Sequence, residues 1–321
     1  MHVHVQVVQG AAMASRLGTS SLTALASEFG TALQAFKSSG AKFRVLKTVH
    51  PSDRKPREPS RLDQDESPKT LFILDSSFNP PSIAHRTLAQ SALLKTASDG
   101  LPKPHRLLLL FATMNADKAP SAASFDQRLA LMSVFARDLI QSMLEQPDVY
   151  SIVPVDIGVT TVPYYTDKSR AIETEGLQWY PLKCKHTHLV GFDTITRFFA
   201  AKYYPKFDPP FSALNPYFDA GHSLRVTLRP DDEYGSIEEQ KAFVHRLEDG
   251  EMEAQGGKRA WSEQIELVSP TPEAGVSSTK VRKAAKAGDW EQVRDLCTPT
   301  VAQYVQESAL YNSEVVDAKM A

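Results

Sequence analysis

The chain has 321 residues, of which 42% are hydrophobic and 23% charged, proportions typical of a folded protein with one large or two small domains. Its formal net charge of −2 gives no general attraction to nucleic acid or to an anionic membrane, and no apolar run is long enough to span a bilayer. Cys184 and Cys297 are the only cysteines, which excludes a disulfide framework and favours a reducing compartment.

The first fifty residues contain a single acidic residue, Glu28, against five basic ones. An acid-poor start is typical of mitochondrial transit peptides, but periodicity favours an ordinary amphipathic helix over 21–38. The apolar residues at helical spacing are Leu22, Leu25, Phe29, Leu33 and Phe36. We expect a loose segment 1–19 and a single domain over 20–321, with a polar, proline-rich surface loop at 50–69. The expected location is cytoplasmic or nuclear, and a mitochondrial one stays open.

Strand-like and helix-like runs alternate along the rest of the chain. Strands are predicted at 43–49, 71–74, 106–112, 150–156, 188–191 (the end of a strand), 224–228 and 264–268, and helices at 84–96, 124–143, 193–200, 238–247 and from 278 onward. This order predicts a Rossmann-like, doubly wound α/β fold: a mostly parallel sheet with helices on both faces. Ligands of such sheets bind beyond the carboxyl ends of the strands. We therefore expect the loops at 75–79, 191–193 and 269–279 to converge on one site.

The first of these loops carries the densest set of polar groups. Residues 74–85 read Leu-Asp-Ser-Ser-Phe-Asn-Pro-Pro-Ser-Ile-Ala-His, a strand end, a tight turn and a helix start. A loop of this kind can point backbone N–H groups and the imidazole of His85 at a phosphate. Ser82 lies three residues earlier, where it serves as an N-cap or as a hydrogen-bond donor to phosphate.

The third loop also opens a helix. Residues 276–282 read Val-Ser-Ser-Thr-Lys-Val-Arg, so that three hydroxyl groups, those of Ser277, Ser278 and Thr279, stand at the cap. Arg282 follows one turn later, where a guanidinium group can bind phosphate with two parallel hydrogen bonds. The alternative is a solvated helix arginine at Arg282. Lys280 points in a different direction and is expected to be exposed.

Together these stretches resemble the signatures of the nicotinamide-mononucleotide adenylyltransferase family, a branch of the nucleotidylyltransferase superfamily. The first resembles Gly-Ser-Phe-Asn-Pro followed by His-x-Gly-His, the second resembles Ser-Ser-Thr-x-Val-Arg, and residues 191–193 resemble Gly-x-Asp. The resemblance covers roughly residues 43–311. It is greatest to fungal-type members, which also carry Ser-Ser-Phe-Asn-Pro-Pro and the Asn-Ala-Asp-Lys found here at 115–118.

The resemblance implies transfer of AMP from ATP to nicotinamide mononucleotide, giving NAD and pyrophosphate. It implies Mg²⁺ bridging the phosphates of ATP, with no metal ligand among the protein's own residues. The implied catalytic residues are His85, Ser82 and Arg282. The implied nucleotide-binding residues are Ser77 and Phe78 (backbone N–H groups to the mononucleotide phosphate), Asn79, Lys118 (phosphate), Gly191, Asp193 (ribose), Ser277, Ser278 and Thr279. ATP and the mononucleotide are the expected partners, neither nucleic acid nor membrane is, and the sequence does not fix the oligomeric state.

Three departures from the family pattern keep two alternatives open. Ser76 replaces a glycine, Ser82 replaces the first histidine and Ala84 replaces the second glycine. Ser82 resembles the threonine that other nucleotidylyltransferases carry there, but it cannot carry a positive charge. The alternatives are transfer to a different phosphate acceptor, and a degenerate nucleotide-binding interaction protein without catalysis.

Several further residues have both a functional and a structural interpretation. Arg128 resembles a helix arginine of the family but is equally compatible with a structural salt bridge. Tyr164, Tyr165 and Trp179 are available to stack on the nicotinamide ring, but core packing is the preferred interpretation of each of them. Asp193 is alternatively the N-cap of helix 194–200. The alternating Cys184, His186 and His188 are compatible with a zinc site, but no fourth ligand is evident. No phosphate-binding loop of the Gly-x-x-x-x-Gly-Lys type exists, which argues against a P-loop ATPase or kinase.

Overall fold

Within the residues that the structure describes, eight strands form one sheet. The computed structural model describes residues 19–114, 123–229 and 234–312. The strands are β1 (Phe43–Val49), β2 (Pro56–Arg57), β3 (Thr70–Asp75), β4 (His105–Ala112), β5 (Val155–Thr160), β6 (Lys185–Gly191), β7 (Ser223–Thr227) and β8 (Ile265–Val268). The helices are α1 (Thr19–Ser39), α2 (Ile83–Leu93), α3 (Lys95–Ser98), α4 (Phe125–Leu144), α5 (Tyr165–Glu175), α6 (Phe192–Phe198), α7 (Asn215–Asp219), α8 (Ile237–Glu248), α9 (Ser278–Ala287), α10 (Trp290–Leu296) and α11 (Pro299–Glu307).

Six of the strands, β5-β4-β3-β6-β7-β8, are parallel, whereas β1 runs antiparallel to β5 and β2 antiparallel to β1. The strand order reverses between β3 and β6, because the chain leaves β3 toward β4 and β5 and later returns to pair β6 with β3. This is the topological switch point of a doubly wound sheet, where the loops that follow two neighbouring strands run in opposite directions. The fold predicted from the alternation of strands and helices is confirmed.

Both faces of the sheet are covered, and the central strands are apolar on both sides. Along β4, Leu107, Leu109 and Phe111 join the cluster that contains α1, α4 and α11, while Leu108 and Leu110 join the opposite cluster with α5. A third cluster lies around α6, α7 and α8. Strands buried on both faces read as continuous hydrophobic runs, which is why β3 and β4 were recognisable in the sequence.

Three predicted segments differ from the structure. The strand expected at 150–156 begins only at Val155, because Tyr150 bridges Leu94 and the N–H of Ser151 donates to Leu93 O, away from the sheet. Segment 50–69 contains β2 and a buried serine, Ser67, whose hydroxyl accepts from the Leu182 N–H at 3.1 Å, so it is packed in part. Of the segment expected to be loose, 1–19, residues 1–18 lie outside the described residues, and Thr19 is the first residue of α1.

The predicted helix over 21–38 is present as α1. None of the helices within the described residues is long and apolar enough to cross a membrane.

Candidate functional site

A cavity of about 900 Å³ opens at the switch point. It is bordered by the loops that follow β3, β4, β6 and β8, so the expected convergence of sequence-distant loops is confirmed. The predicted residues that border it are Ser77, Asn79, Ser82, His85, Gly191, Asp193, Ser277, Ser278, Thr279 and Arg282. The ring of Phe78 is fully buried and does not border the cavity. Lys118, with the rest of 115–118, lies outside the described residues.

The N-terminus of α2 holds His85 by a reciprocal cap. Ser82 is the N-cap residue, and its backbone N–H donates to Nδ1 of His85 at 3.0 Å. The Ser82 hydroxyl lies 3.0 Å from the same nitrogen. Because a backbone N–H can only donate, Nδ1 is an acceptor, and the neutral ring therefore carries its proton on Nε2. Nε2 lies 2.9 Å from the hydroxyl oxygen of Ser76.

The β3–α2 loop is held in an unusual backbone conformation at Phe78, whose φ is +42°. A non-glycine residue in this region costs about 1–3 kcal/mol and persists only where its surroundings enforce it. Here the phenyl ring is fully buried, with its centroid 5.2 Å from that of the His85 ring. The next residue, Asn79, accepts a 2.8 Å hydrogen bond from the hydroxyl of Tyr311 at the far end of the described chain. The loop is therefore fixed from both sides.

The first turns of α9 are hydrogen-bonded to the β3–α2 loop. Ser278 Oγ donates to Pro80 O at 2.8 Å, and Nη1 of Arg282 donates to Asn79 O at 2.8 Å. The other terminal nitrogen of Arg282 donates to Thr279 Oγ1 at 3.0 Å. Arg282 is therefore half-buried between two loops, and the alternative of a solvated helix arginine is wrong.

The two remaining residues at this helix start behave as a cap and an exposed cation. Ser277 is the N-cap of α9, and its hydroxyl accepts from the Lys280 N–H at 3.3 Å. Lys280 is exposed, as predicted, and its Nζ donates to Gly275 O.

Arg128 adds a buried cation to the same cavity. Its Nε donates to Ala123 O at 3.0 Å, and its guanidinium lies over the rings of Phe111 and Phe125. Burial lowers the pKa of Arg128, and the neighbouring positive charge of Arg282 lowers it further. No carboxylate of the residues 19–114, 123–229 and 234–312 lies within ion-pair distance, so the salt-bridge alternative finds no partner there. Two cations facing one cavity favour a polyanionic ligand.

The β6–α6 junction places a carboxylate, that of Asp193, at the same cavity. Asp193 lies in the first turn of α6, whose N-cap is Gly191, so the N-cap alternative for Asp193 is wrong. Arg197 and Arg229 both pair with the Asp193 carboxylate, Arg229 Nη2 at 2.9 Å. A Cβ on Gly191 would lie 2.7 Å from Asp193 Oδ1, so a larger residue there would displace the carboxylate from its present position.

Arg229 was missed in the sequence. It borders the cavity and follows β7 by two residues. Because ligands bind beyond the carboxyl ends of parallel strands, this position could have identified Arg229 as a site residue.

A second cavity of about 270 Å³ adjoins the first and is lined by aromatic rings. Tyr164 and Tyr165 border it together with Tyr203 and Tyr204, and such rings can stack on a base. Trp179 does not border the cavity: it is buried in the cluster that contains Ala171 and Ile172 of α5, edge-on to Phe43, which confirms the core packing preferred for it.

A buried ion pair that the sequence did not predict borders the second cavity. Nζ of Lys168, on α5, pairs with the Asp75 carboxylate at the end of β3, and both side chains are less than a tenth exposed. Separating a buried ion pair leaves an unpaired charge in the protein interior, which strongly destabilises the fold. The pair therefore fixes the end of β3 where the two cavities meet.

The zinc interpretation of Cys184, His186 and His188 is wrong: no group of three or more His, Cys, Asp or Glu residues in the described parts of the chain is arranged to hold a metal ion. The ring of His186 stacks on that of His222 at 4.2 Å, and Nδ1 of His188 lies 2.8 Å from the Tyr217 hydroxyl. Burial lowers the pKa of both strand histidines well below the usual value, so they are neutral core residues.

Comparison with known proteins gives one curated relative. A Schizosaccharomyces pombe protein named "Putative nicotinamide mononucleotide adenylyltransferase" is 26% identical over 284 residues, which cover 88% of this chain and 96% of that protein. The resemblance indicated by the motifs is thereby confirmed over most of the chain. No protein-family model matches. Two solved structures of Plasmodium falciparum nicotinic acid mononucleotide adenylyltransferase, complexed with NaAD and with APC, are 13% identical with a TM-score of 0.41, covering 76% of this chain and 97% of theirs.

Proposed function

We propose that the protein transfers AMP from ATP to nicotinamide mononucleotide, forming NAD and pyrophosphate. The observation that carries this proposal is the convergence of two helix N-termini, those of α2 and α9, on one cavity with the cations Arg128 and Arg282. Helix N-termini and guanidinium groups together form a site for a polyphosphate. The name of the curated relative from Schizosaccharomyces pombe supports the same activity.

The reaction needs charge stabilisation rather than a general base. An oxygen of the mononucleotide phosphate attacks the α-phosphorus of ATP, a P–O bond forms, and the bond to the pyrophosphate leaving group breaks. The attacking oxygen is already an anion, so the protein has to hold two polyanions in line and stabilise the developing negative charge. Arg282 and Arg128 supply positive charge, and His85 supplies an N–H donor through Nε2.

The second cavity supports a base-binding role for its tyrosines. Ser76 and Ser77 border it, and so do Tyr164 and Tyr165. A mononucleotide whose phosphate lies at Ser77 therefore reaches the aromatic rings with its base, where stacking is favourable. ATP then takes the larger cavity between α2 and α9, and Asp193, which borders both cavities, is the proposed ribose ligand.

The residues at the cavity fit a magnesium ion that arrives with ATP. The carboxylates that border it, Asp75 and Asp193, are each engaged by cationic side chains. A metal held by phosphate oxygens and water, as Mg²⁺ prefers, requires no protein carboxylate. Bound in this way, it would neutralise charge on the transferred and leaving phosphates.

The test is an acceptor panel. Purified protein with ATP and Mg²⁺ is supplied with nicotinamide mononucleotide, nicotinic acid mononucleotide, uridine monophosphate or no acceptor, and pyrophosphate release is followed. We expect release only with a pyridine mononucleotide, and loss of release in His85→Ala, which excludes a contaminant. Release with an acceptor lacking the pyridine ring would indicate a different nucleotidylyltransferase. ATP binding without release on any acceptor would identify a nucleotide-binding protein without catalysis.

A further inference from the structure

Ser76 occupies a position with two distinctive properties. It follows directly after β3, and its hydroxyl oxygen lies 2.9 Å from Nε2 of His85. It also borders both cavities, the large one between α2 and α9 and the aromatic one beside α5. The junction of the two cavities is where the phosphates of two bound nucleotides would meet, so Ser76 lies where the new bond would form.

The hydrogen bonds around His85 have one consistent direction. The Ser82 N–H donates to Nδ1, which leaves the proton of the neutral ring on Nε2. Nε2–H in turn donates to Ser76 Oγ. A serine hydroxyl that accepts a hydrogen bond retains its own O–H for donation. Bonds arranged in a chain of this kind strengthen one another.

We propose that Ser76 is the residue of this chain that donates a hydrogen bond to the reacting phosphate, with His85 acting through it. We call this chain of hydrogen bonds the relay: it runs from the Ser82 N–H at the N-cap of α2, through the His85 imidazole, to the Ser76 hydroxyl, which borders the cavity. His85 then contributes as a neutral donor, while Arg128 and Arg282 contribute the positive charge. The inference rests on the proposed function and deepens it by naming the atom, Ser76 Oγ, that touches the transferred group.

In the competing interpretation the Ser76 hydroxyl is a placeholder, meaning that it occupies the hydrogen-bonding position of the phosphate only until the substrate binds. In that case a bound phosphate displaces it, Nε2–H turns to the phosphate directly, and the serine contributes nothing to the transition state. The two interpretations predict opposite effects of removing the hydroxyl, because a placeholder competes with the substrate whereas a relay carries the contact.

The kinetic test compares Ser76→Ala, His85→Ala and the double variant. The relay predicts that Ser76→Ala lowers kcat by about 100-fold, the scale of one lost transition-state donor, with a much smaller change in the KM for ATP. It also predicts that the double variant is no slower than Ser76→Ala, since His85 acts through Ser76 and residues that act as a unit are not additive. Ser76→Thr, which retains the hydroxyl, should recover most of the turnover. Unchanged or faster turnover in Ser76→Ala overturns the proposal, as does an additive double variant.

A matched control is Ser98→Ala, which removes a fully buried hydroxyl bonded to Ser151 Oγ at 2.8 Å outside both cavities. It should alter stability and leave kcat unchanged. Nitrogen-15 NMR of the His85 ring separates failure of the relay from failure of the proposed function, because it needs no turnover. The relay predicts a proton on Nε2, none on Nδ1, and a shift of Nε2 alone in Ser76→Ala. A proton on Nδ1 overturns the relay even if the enzyme is active. A wild-type protein inactive on the whole panel, with the predicted nitrogen signals, overturns only the adenylyl-transfer function.

Discussion

Replacing Arg282 with lysine separates a phosphate-binding role from a structural one. The guanidinium spans two loops, donating to Asn79 O at 2.8 Å and to Thr279 Oγ1 at 3.0 Å, while its face borders the cavity. Lysine retains the charge, but its single ammonium nitrogen cannot reproduce the planar fork of guanidinium nitrogens that reaches both acceptors. Loss of one hydrogen bond from a charged group costs about 1.5–3 kcal/mol, which corresponds to about a 10- to 150-fold decrease in kcat/KM for ATP.

The assay measures pyrophosphate release as a function of ATP concentration at saturating mononucleotide, and the melting temperature of the same preparation. Affinity for the mononucleotide should change little, because its proposed phosphate position is at Ser77, in the other loop. Arg294→Lys is the matched control, since Arg294 is exposed on α10. A lower melting temperature in Arg282→Lys with unchanged ATP kinetics would refute the phosphate-binding role.

Substitutions at three other residues give further tests. His85→Ala should lower kcat by about two to four powers of ten while ATP affinity changes much less, and near-wild-type turnover would remove His85 from the mechanism. Ser82→Ala should reduce turnover and Ser82→Thr should be tolerated, whereas activity that appears only in Ser82→His would identify a decayed enzyme. Burial lowers the pKa of His222 from 6.5 to about 4. The unfolded chain therefore binds the proton first, and on the order of 3 kcal/mol of stability is lost as the pH falls from about 6.5 toward 4. Urea unfolding over this range should show a flatter pH dependence in His222→Asn, and an identical dependence would contradict the assignment.

The parts of the site that sequence reasoning identified are those encoded locally. The hydroxyl residues at the starts of α2 and α9, and the glycine at Gly191, act within a few residues of their position in the chain. Caps and close approaches of this kind leave a short-range signal. The alternation of apolar runs with amphipathic helices likewise predicted a mostly parallel sheet, because each buried strand is an uninterrupted run of apolar residues in the sequence.

The missed parts depend on tertiary pairing. Helix α5 was not predicted because its buried face carries Lys168 and Ser169 beside Ala171 and Ile172, which interrupts the apolar period. Lys168 is buried only because Asp75, far away in sequence, neutralises it. The tyrosines of the second cavity could not be distinguished from Trp179 for a related reason, since an aromatic side chain suits a core and a stacking site equally well and only packing decides between them.

The measurement that tests the central claim most directly follows the α-phosphate itself. ATP labelled at that phosphate is incubated with the protein, Mg²⁺ and nicotinamide mononucleotide, and the products are separated. The account predicts that the label appears in NAD in a one-to-one ratio with released pyrophosphate, and that no label moves when the mononucleotide is omitted. Label that stays in ATP under conditions where both nucleotides are shown to bind would contradict it.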